Sequence, residues 1–283
     1  MTIEMGRYNR LIAARRAPPG VYMESEGREV LLPNRHVPEG LVLGTELEVF
    51  VYTDSSDRPV ATTQKPHCEV GQFAFLRVVD VSSHGAFLDW GLDKDLFVPL
   101  AEQDNRLSKG DSVVVAVCLD EHTERVMASS RLGQFFDDDA SSLAAGAEVA
   151  LLVYRLTELG AMVIVDELYA GLIYRSDTFT ELSVGDRISG YVQRVREDGK
   201  VDVSLRPPGA AGRDNETRAL LRALEAAGGH IALGDESPPE QIQKQLGMSK
   251  KAFKRAASNL YRQRLVTLSP GAITAIDRKP TPK

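Results

Sequence analysis

The chain has 283 residues, 43% hydrophobic and 26% charged, which is ordinary for a folded protein and long enough for two or more domains. No apolar run approaches the roughly 20 residues of a membrane-spanning helix, and no apolar secretion core follows the N-terminal basic pair Arg15-Arg16, so no membrane partner is expected. Two cysteines, Cys68 and Cys118, are too few for a disulfide framework or a zinc site; the net charge of −6 is uneven, since 13 Lys/Arg face 7 Asp/Glu from Arg213 onward, and together these features predict a cytoplasmic protein whose basic tail suits a polyanion.

The first three-quarters of the chain repeats itself. A first set of short β-runs covers residues 8–14, 21–24, 30–33, 47–52 and 60–63. A second covers 73–79, 86–90 after the turn Ser83-His84-Gly85, 96–99, 112–118 after Lys109-Gly110-Asp111, and 126–129. A third covers 149–154, 161–165, 171–174, 188–195 and 201–205. Shifting the chain by 75 residues puts Gly71 on Gly146, Gly85-Ala86 on Gly160-Ala161, Gly110-Asp111 on Gly185-Asp186, Ser129 on Ser204 and Arg131 on Arg206. A fainter copy lies earlier, with Leu31-Leu32-Pro33 against Phe97-Val98-Pro99 and Gly44 against Gly110. This period is too long for a solenoid unit and fits a complete small domain. Alternating strands with Gly and Asp turns predict three tandem five-stranded OB-fold β-barrels, over residues 1–66, 67–140 and 141–210.

Residues 213–283 read differently. Leu220, Leu221 and Leu224 have helical spacing; a cap, prolines and Glu240 open a second helix. Gly247-Met248-Ser249 turns into a third helix over 249–261, with Phe253, Ala256, Ala257, Leu260 and Tyr261 facing inward. A hairpin over 265–276 follows. Three helices and a β-hairpin predict an α+β winged-helix domain.

The stretch Val79-Asp80-Val81-Ser82-Ser83-His84-Gly85-Ala86-Phe87-Leu88-Asp89 resembles the start of the RNA-binding OB domain repeated in the largest small-subunit ribosomal protein, the S-one domain. In that family a Gly-Ala-Phe strand, a Gly-Leu-Val-His-like strand and a Gly-Asp turn follow in this order. From residue 6 to residue 276 the chain resembles the CvfB-like (conserved virulence factor B, YitL-type) bacterial family. The resemblance rests on Gly6-Arg7-Tyr8-Asn9, Asp89-Trp90-Gly91-Leu92-Asp93-Lys94-Asp95-Leu96, Arg196-Glu197-Asp198-Gly199-Lys200 and Gly247-Met248-Ser249-Lys250-Lys251-Ala252-Phe253-Lys254. It implies three OB domains, a winged helix, RNA binding and a regulatory role in gene expression.

Candidate contacts follow from the chemistry of single strands, whose bases stack on exposed aromatics beside a basic groove. In the second repeat Phe73 and Phe75 lie on the first strand, where alternation puts one of them inside. The positions on the RNA face of the ribosomal family correspond to His84 and Phe87; the family's next-strand His is Pro99 here, a departure. Trp90 reads as structural. The third repeat has Leu159 and Met162 in place of aromatics, but Tyr174 stands at the His position and Arg194 adds charge. The tail offers Lys250, Lys251, Lys254, Arg255, Arg262 and Arg264 as phosphate contacts of a recognition helix and wing.

No phosphate-binding Gly-rich loop with Lys and no His-Glu-x-x-His motif is present, and Asp137-Asp138-Asp139 reads as a linker rather than a metal site. The chain is therefore expected to be no enzyme and to need no cofactor or metal. Three readings stand. One is a regulator binding single-stranded RNA, with the ribosome or other proteins as further partners. The second is a winged-helix transcription regulator on DNA. The third is a protein-interaction scaffold, which the second repeat favours with 14 Asp/Glu against 6 Lys/Arg over residues 67–140.

Overall fold

The computed structural model describes residues 2–178, 181–207 and 209–276. Residue 208 of the expected third repeat, 141–210, and the last three tail cations (Arg278, Lys279 and Lys283), fall outside these ranges. The chain divides into two compact units, Met1–Phe136 and Asp137–Lys283. Among the described residues no helix is long and apolar enough to cross a membrane.

The first unit holds two five-stranded sets. In the first, β1 (Arg7–Ala17), β2 (Gly20–Ser25), β3 (Arg28–Pro33), β4 (Glu46–Thr53) and β5 (Pro59–Thr62) close into a barrel of order β1-β2-β3-β5-β4. In the second, β6 (Phe73–Val81), β7 (Gly85–Asp89), β8 (Leu96–Pro99), β9 (Ser112–Leu119) and β10 (Val126–Ser129) form a sheet of order β10-β9-β6-β7-β8, nearly closed. The second unit begins with a third closed barrel of the first topology: β11 (Glu148–Leu156), β12 (Gly160–Val165), β13 (Tyr169–Tyr174), β14 (Arg187–Val195) and β15 (Val201–Ser204). A winged helix follows: α1 (Gly209–Ala226), β16 (His230–Ile231), α2 (Pro239–Leu246), α3 (Lys250–Arg262), β17 (Val266–Ser269) and β18 (Ala272–Ala275), its strands ordered β16-β18-β17. The expected architecture of three OB-type barrels and a winged helix is thus present.

The repeat has a physical basis at three points. The first strand of every barrel carries a bulge, at 13–15, 78–80 and 153–155, which bends it around the barrel. The residue before each bulge exchanges two backbone hydrogen bonds with the turn that precedes the fourth strand: Ala13 with Gly44 and Thr45, Val78 with Gly110 and Asp111, Val153 with Gly185 and Asp186. Those glycines have φ of +86°, +95° and +96°, values that favour glycine. The second strand begins with Gly20, Gly85 or Gly160, where a Cβ would strike the carbonyl of Leu32, Val98 or Ile173 on the neighbouring strand. The recurring glycines of the sequence are therefore demanded by backbone geometry.

The first two barrels share a core. Trp90, 2% exposed, meets the rings of Phe50 and Tyr52 from β4 edge-on at 5.7 and 6.3 Å, and its Nε1 donates to the Lys94 carbonyl at 2.6 Å. Around it Asp93 accepts from Arg35 at 2.6 Å and from Gln64 at 3.0 Å, and lies 3.1 Å from His36 Nε2. Burial raises the Asp93 pKa, but Gln64, Arg35 and His36 outweigh it and hold the carboxyl below its usual range. The structural role expected for Trp90 is fixing the β4–β5 hairpin of the first barrel against the second.

In the winged helix, Ser249 caps α3 by accepting from the Ala252 N–H at 3.2 Å, after Gly247 ends α2 in the left-handed region. Ala252, Phe253, Ala256, Ala257 and Leu260 form the buried face. Tyr261, expected inward, is 57% exposed: it follows Leu260 at the margin of the apolar stripe, and its ring remains in solvent. The second helix opens on Pro238 without a side-chain cap, while the Ser237 hydroxyl accepts from Gly234 N–H instead.

Candidate nucleic-acid interface

Strand alternation on the second barrel sends Ala86, Leu88, Leu96 and Val98 into the core, so Phe87 and Phe97 point outward. They are direct cross-strand partners, with ring centroids 5.2 Å apart at 41°. Both line a groove of about 420 Å³, together with His84, Pro99 and Met127. The turn carrying His84 is anchored twice: the Leu100 N–H donates to the His84 carbonyl at 3.0 Å, and the Ser82 N–H to the Gly85 carbonyl at 2.8 Å. The opposite wall comes from the first barrel, through Tyr52, Thr53 and Asp57. Lys94, Asp95, Asp120 and Arg125 complete the rim. Burial raises the Asp95 pKa, and the nearby Asp89 and Asp80 charges push it further. The rim is acidic, and its apolar rings are the larger attraction for a base.

Of the sequence candidates in this barrel, His84 and Phe87 lie together in the groove. Phe75 is 41% exposed but sits opposite Val114 on β9 and does not line it. Phe73 is 3% exposed and stacks on Phe136 at 5.8 Å, so it belongs to the packed interior and offers no face to a ligand. Alternation does not split this pair as expected: residues two apart share a face of the strand, and Phe73 is buried because Phe136 covers its ring while Phe75 is left exposed. Phe97 is not among the sequence candidates, although Leu96-Phe97-Val98-Pro99 alternates and its register against Gly-Ala-Phe pairs the two rings. The contribution of the first barrel leaves no local signal in the sequence.

On the third barrel the corresponding positions are Met162, Leu172, Tyr174 and Asp202. Leu172 pairs with Met162 on one side and with Asp202 on the other. Asp202 is 2% exposed, and its Oδ2 accepts from Arg194 Nε at 2.6 Å; its Oδ1 has no hydrogen-bond partner among the described residues. The Asp202 hydrogen bond, reinforced by its charge and by Tyr174, raises the Arg194 pKa. The Arg194 side chain remains 69% exposed. Two candidates, Tyr174 and Arg194, thus meet on one face where the second barrel has its rings.

The cations of the tail separate into two kinds. Arg255 grips Glu216 of α1 through Nη2 at 2.8 Å and Nε at 3.3 Å, and Arg206, just after β15, reaches the same carboxylate at 2.9 Å. Glu216 is only 7% exposed. Burial lowers the Arg206 pKa against the pull of Glu216. Lys254 pairs with Asp235 at 2.7 Å. Lys251, Arg262 and Arg264 are exposed and Lys250 is half-buried, and none makes an ion pair among the described residues.

Residues 5–64 and 70–129 match the S1 domain, 134–207 the second domain of virulence regulatory factor CvfB, and 218–274 the CvfB-like winged helix domain. The uncharacterized protein YitL of Bacillus subtilis is 31% identical over 251 residues, covering 84% of this chain and 83% of its own length. The chain belongs to the CvfB family. Conserved virulence factor B of Staphylococcus saprophyticus is 25% identical over 87% of this chain and 86% of its own. A solved multidomain protein with nucleic acid binding domains from Streptococcus pneumoniae is 23% identical, covers 96% of this chain and 98% of its own, and superposes with a TM-score of 0.42. In this CvfB-family chain His84, Phe87 and Phe97 of the groove fall in the second S1 match and its opposite wall, Tyr52, Thr53 and Asp57, in the first, while Arg194 and Asp202 fall in the CvfB second domain.

Proposed function

We propose that this protein is a non-enzymatic, cytoplasmic regulator that binds single-stranded RNA through its barrels and its basic winged helix, and so modulates gene expression after transcription. The observation that carries this reading is the Phe87–Phe97 pair in the groove beside His84. Two rings on adjacent strands give a stacking platform that suits unpaired bases of any sequence. A duplex hides the faces of its bases, so the same groove disfavours double strands. The S1 and winged-helix matches support nucleic acid as the partner class, and the family's name as a virulence regulatory factor supports a regulatory role. On α3, Lys250, Lys251 and Arg262, with Arg264 beyond it, are the phosphate contacts of this reading.

The acidic rim of the groove favours a second reading, in which the barrels hold a protein and only the tail touches nucleic acid. Ultraviolet crosslinking of the full chain to RNA carrying 5-iodouridine, followed by mass-spectrometric mapping, separates the two. Adducts on β7 and β8 support the stacking platform; adducts restricted to α3 and the wing favour the scaffold.

A further inference from the structure

The groove is built by two barrels, and the first barrel brings a carboxylate to it. Asp54 organises the β4–β5 turn by accepting from the backbone N–H of Ser56 at 2.8 Å and of Arg58 at 3.0 Å. This turn sets Asp57 at φ +60°, and the Asp57 N–H closes it on the Asp54 carbonyl at 2.9 Å. Asp57 is thereby aimed across the groove mouth at two cations of the second barrel. Its Oδ2 lies 2.9 Å from Arg125 Nη2 and its Oδ1 3.6 Å from Lys94 Nζ, and Lys94 also donates to the Asp54 carbonyl at 2.8 Å. Two cations converging on one anionic group beside a pair of aromatic rings are the elements of a nucleotide site: rings for the base, cations for the phosphate.

We propose that Asp57 stands in the seat of an RNA phosphate, and that a single strand stacked on Phe87 and Phe97 displaces it from Arg125 and Lys94. This rests on the single-stranded RNA reading above and adds the position of the phosphate and a built-in competitor for it. The exchange is accessible because the pairs are not sealed: the side chains of Asp57, Lys94 and Arg125 are 42%, 32% and 49% exposed. Such solvent-facing pairs are weak and readily traded for another anion. The other carboxylates at the rim do not replace Asp57. Asp120 is occupied by the His122 and Thr123 N–H groups and the Thr123 hydroxyl, at 2.7–3.1 Å. Asp95 makes no ion pair with Lys94 or Arg125 among the described residues. The first barrel therefore tunes the affinity of the second: a strand must offer both a base for the rings and a phosphate that outcompetes a tethered carboxylate.

The test is the affinity of the full chain for a labelled oligouridylate across a salt series, in Asp57→Asn, Asp57→Gly, Phe87→Ala and Asp57→Asn/Arg125→Ala. Asn and Gly both tolerate positive φ, so the turn is kept, and equal melting temperatures confirm it. Removing the competing charge should tighten binding by about two- to fivefold in both single variants, the size expected for freeing an exposed ion pair. It should also steepen the salt dependence by roughly 0.7 in the log–log slope, one phosphate's worth on a single strand. Arg125→Ala should cancel the gain. If both Asp57 variants bind as the parent or more weakly while Phe87→Ala still weakens binding, the phosphate-seat proposal is overturned and the RNA reading stands. If Phe87→Ala leaves binding unchanged, the groove is not the RNA site and both fail.

Discussion

Arg255 on α3 and Glu216 on α1 form a two-pronged ion pair across the winged helix, with the carboxylate 7% exposed and Arg206 of the barrel exit sharing its Oε1. A cation that reads in the sequence as a phosphate contact is thus tied into the packing between the third barrel and α3. Arg255→Ala should lower stability by about 2–3 kcal/mol, because it leaves a buried carboxylate with one partner instead of two. The same change should leave the salt dependence of RNA binding as it is. Urea unfolding monitored on the full chain, beside a salt titration, checks both halves.

The cations that make no ion pair among the described residues behave oppositely. Replacing Lys250, Lys251 and Arg262 together by Ala should hardly move the unfolding midpoint. It should flatten the log–log salt dependence of RNA binding by roughly 0.7 for each phosphate that is no longer neutralised.

Phe87 and Phe97 should divide from Phe73. Alanine at either groove ring should weaken single-strand binding by about 1–3 kcal/mol with little change in salt slope. Phe73→Ala should instead cost about 3–5 kcal/mol of stability, since the ring is buried against Phe136. Fluorescence anisotropy for binding and urea midpoints for stability distinguish the outcomes.

These residues differ in how far the sequence alone reveals them. The glycines at 85 and 160 and the turn residues at 44, 110 and 185 are legible because each answers a local backbone demand that recurs from barrel to barrel. The outward position of Phe87 follows from alternation in the same way. Which cations are free is not local: Arg255 finds its carboxylate 39 residues away. Nor is the groove's second wall, since Asp57 of the first barrel meets Arg125 of the second across a long stretch of chain. Tyr261 lies at the margin of a helical stripe, where a single residue of rotation decides between core and solvent.

The joint between the first two barrels should weaken in acid. Asp93 is held below its usual pKa in the folded chain, so its contribution is complete above the unfolded carboxyl value of about 4 and is lost as pH falls through the lower folded value. Asp93→Asn should be less stable than the parent at pH 7, and the gap in melting temperature should narrow toward pH 3. A gap that stays constant with pH would contradict a charged role for Asp93.

The measurement that bears most directly on the central claim is a competition titration. A labelled pyrimidine-rich single-stranded RNA is bound to the full chain at moderate salt and challenged with unlabelled RNA, single-stranded DNA and duplex DNA. Displacement by single strands and not by duplex, with both the labelled RNA and the single-strand competitors bound more weakly by Phe87→Ala, is the predicted result. Preferential displacement by duplex DNA would contradict it and move the function to the winged helix.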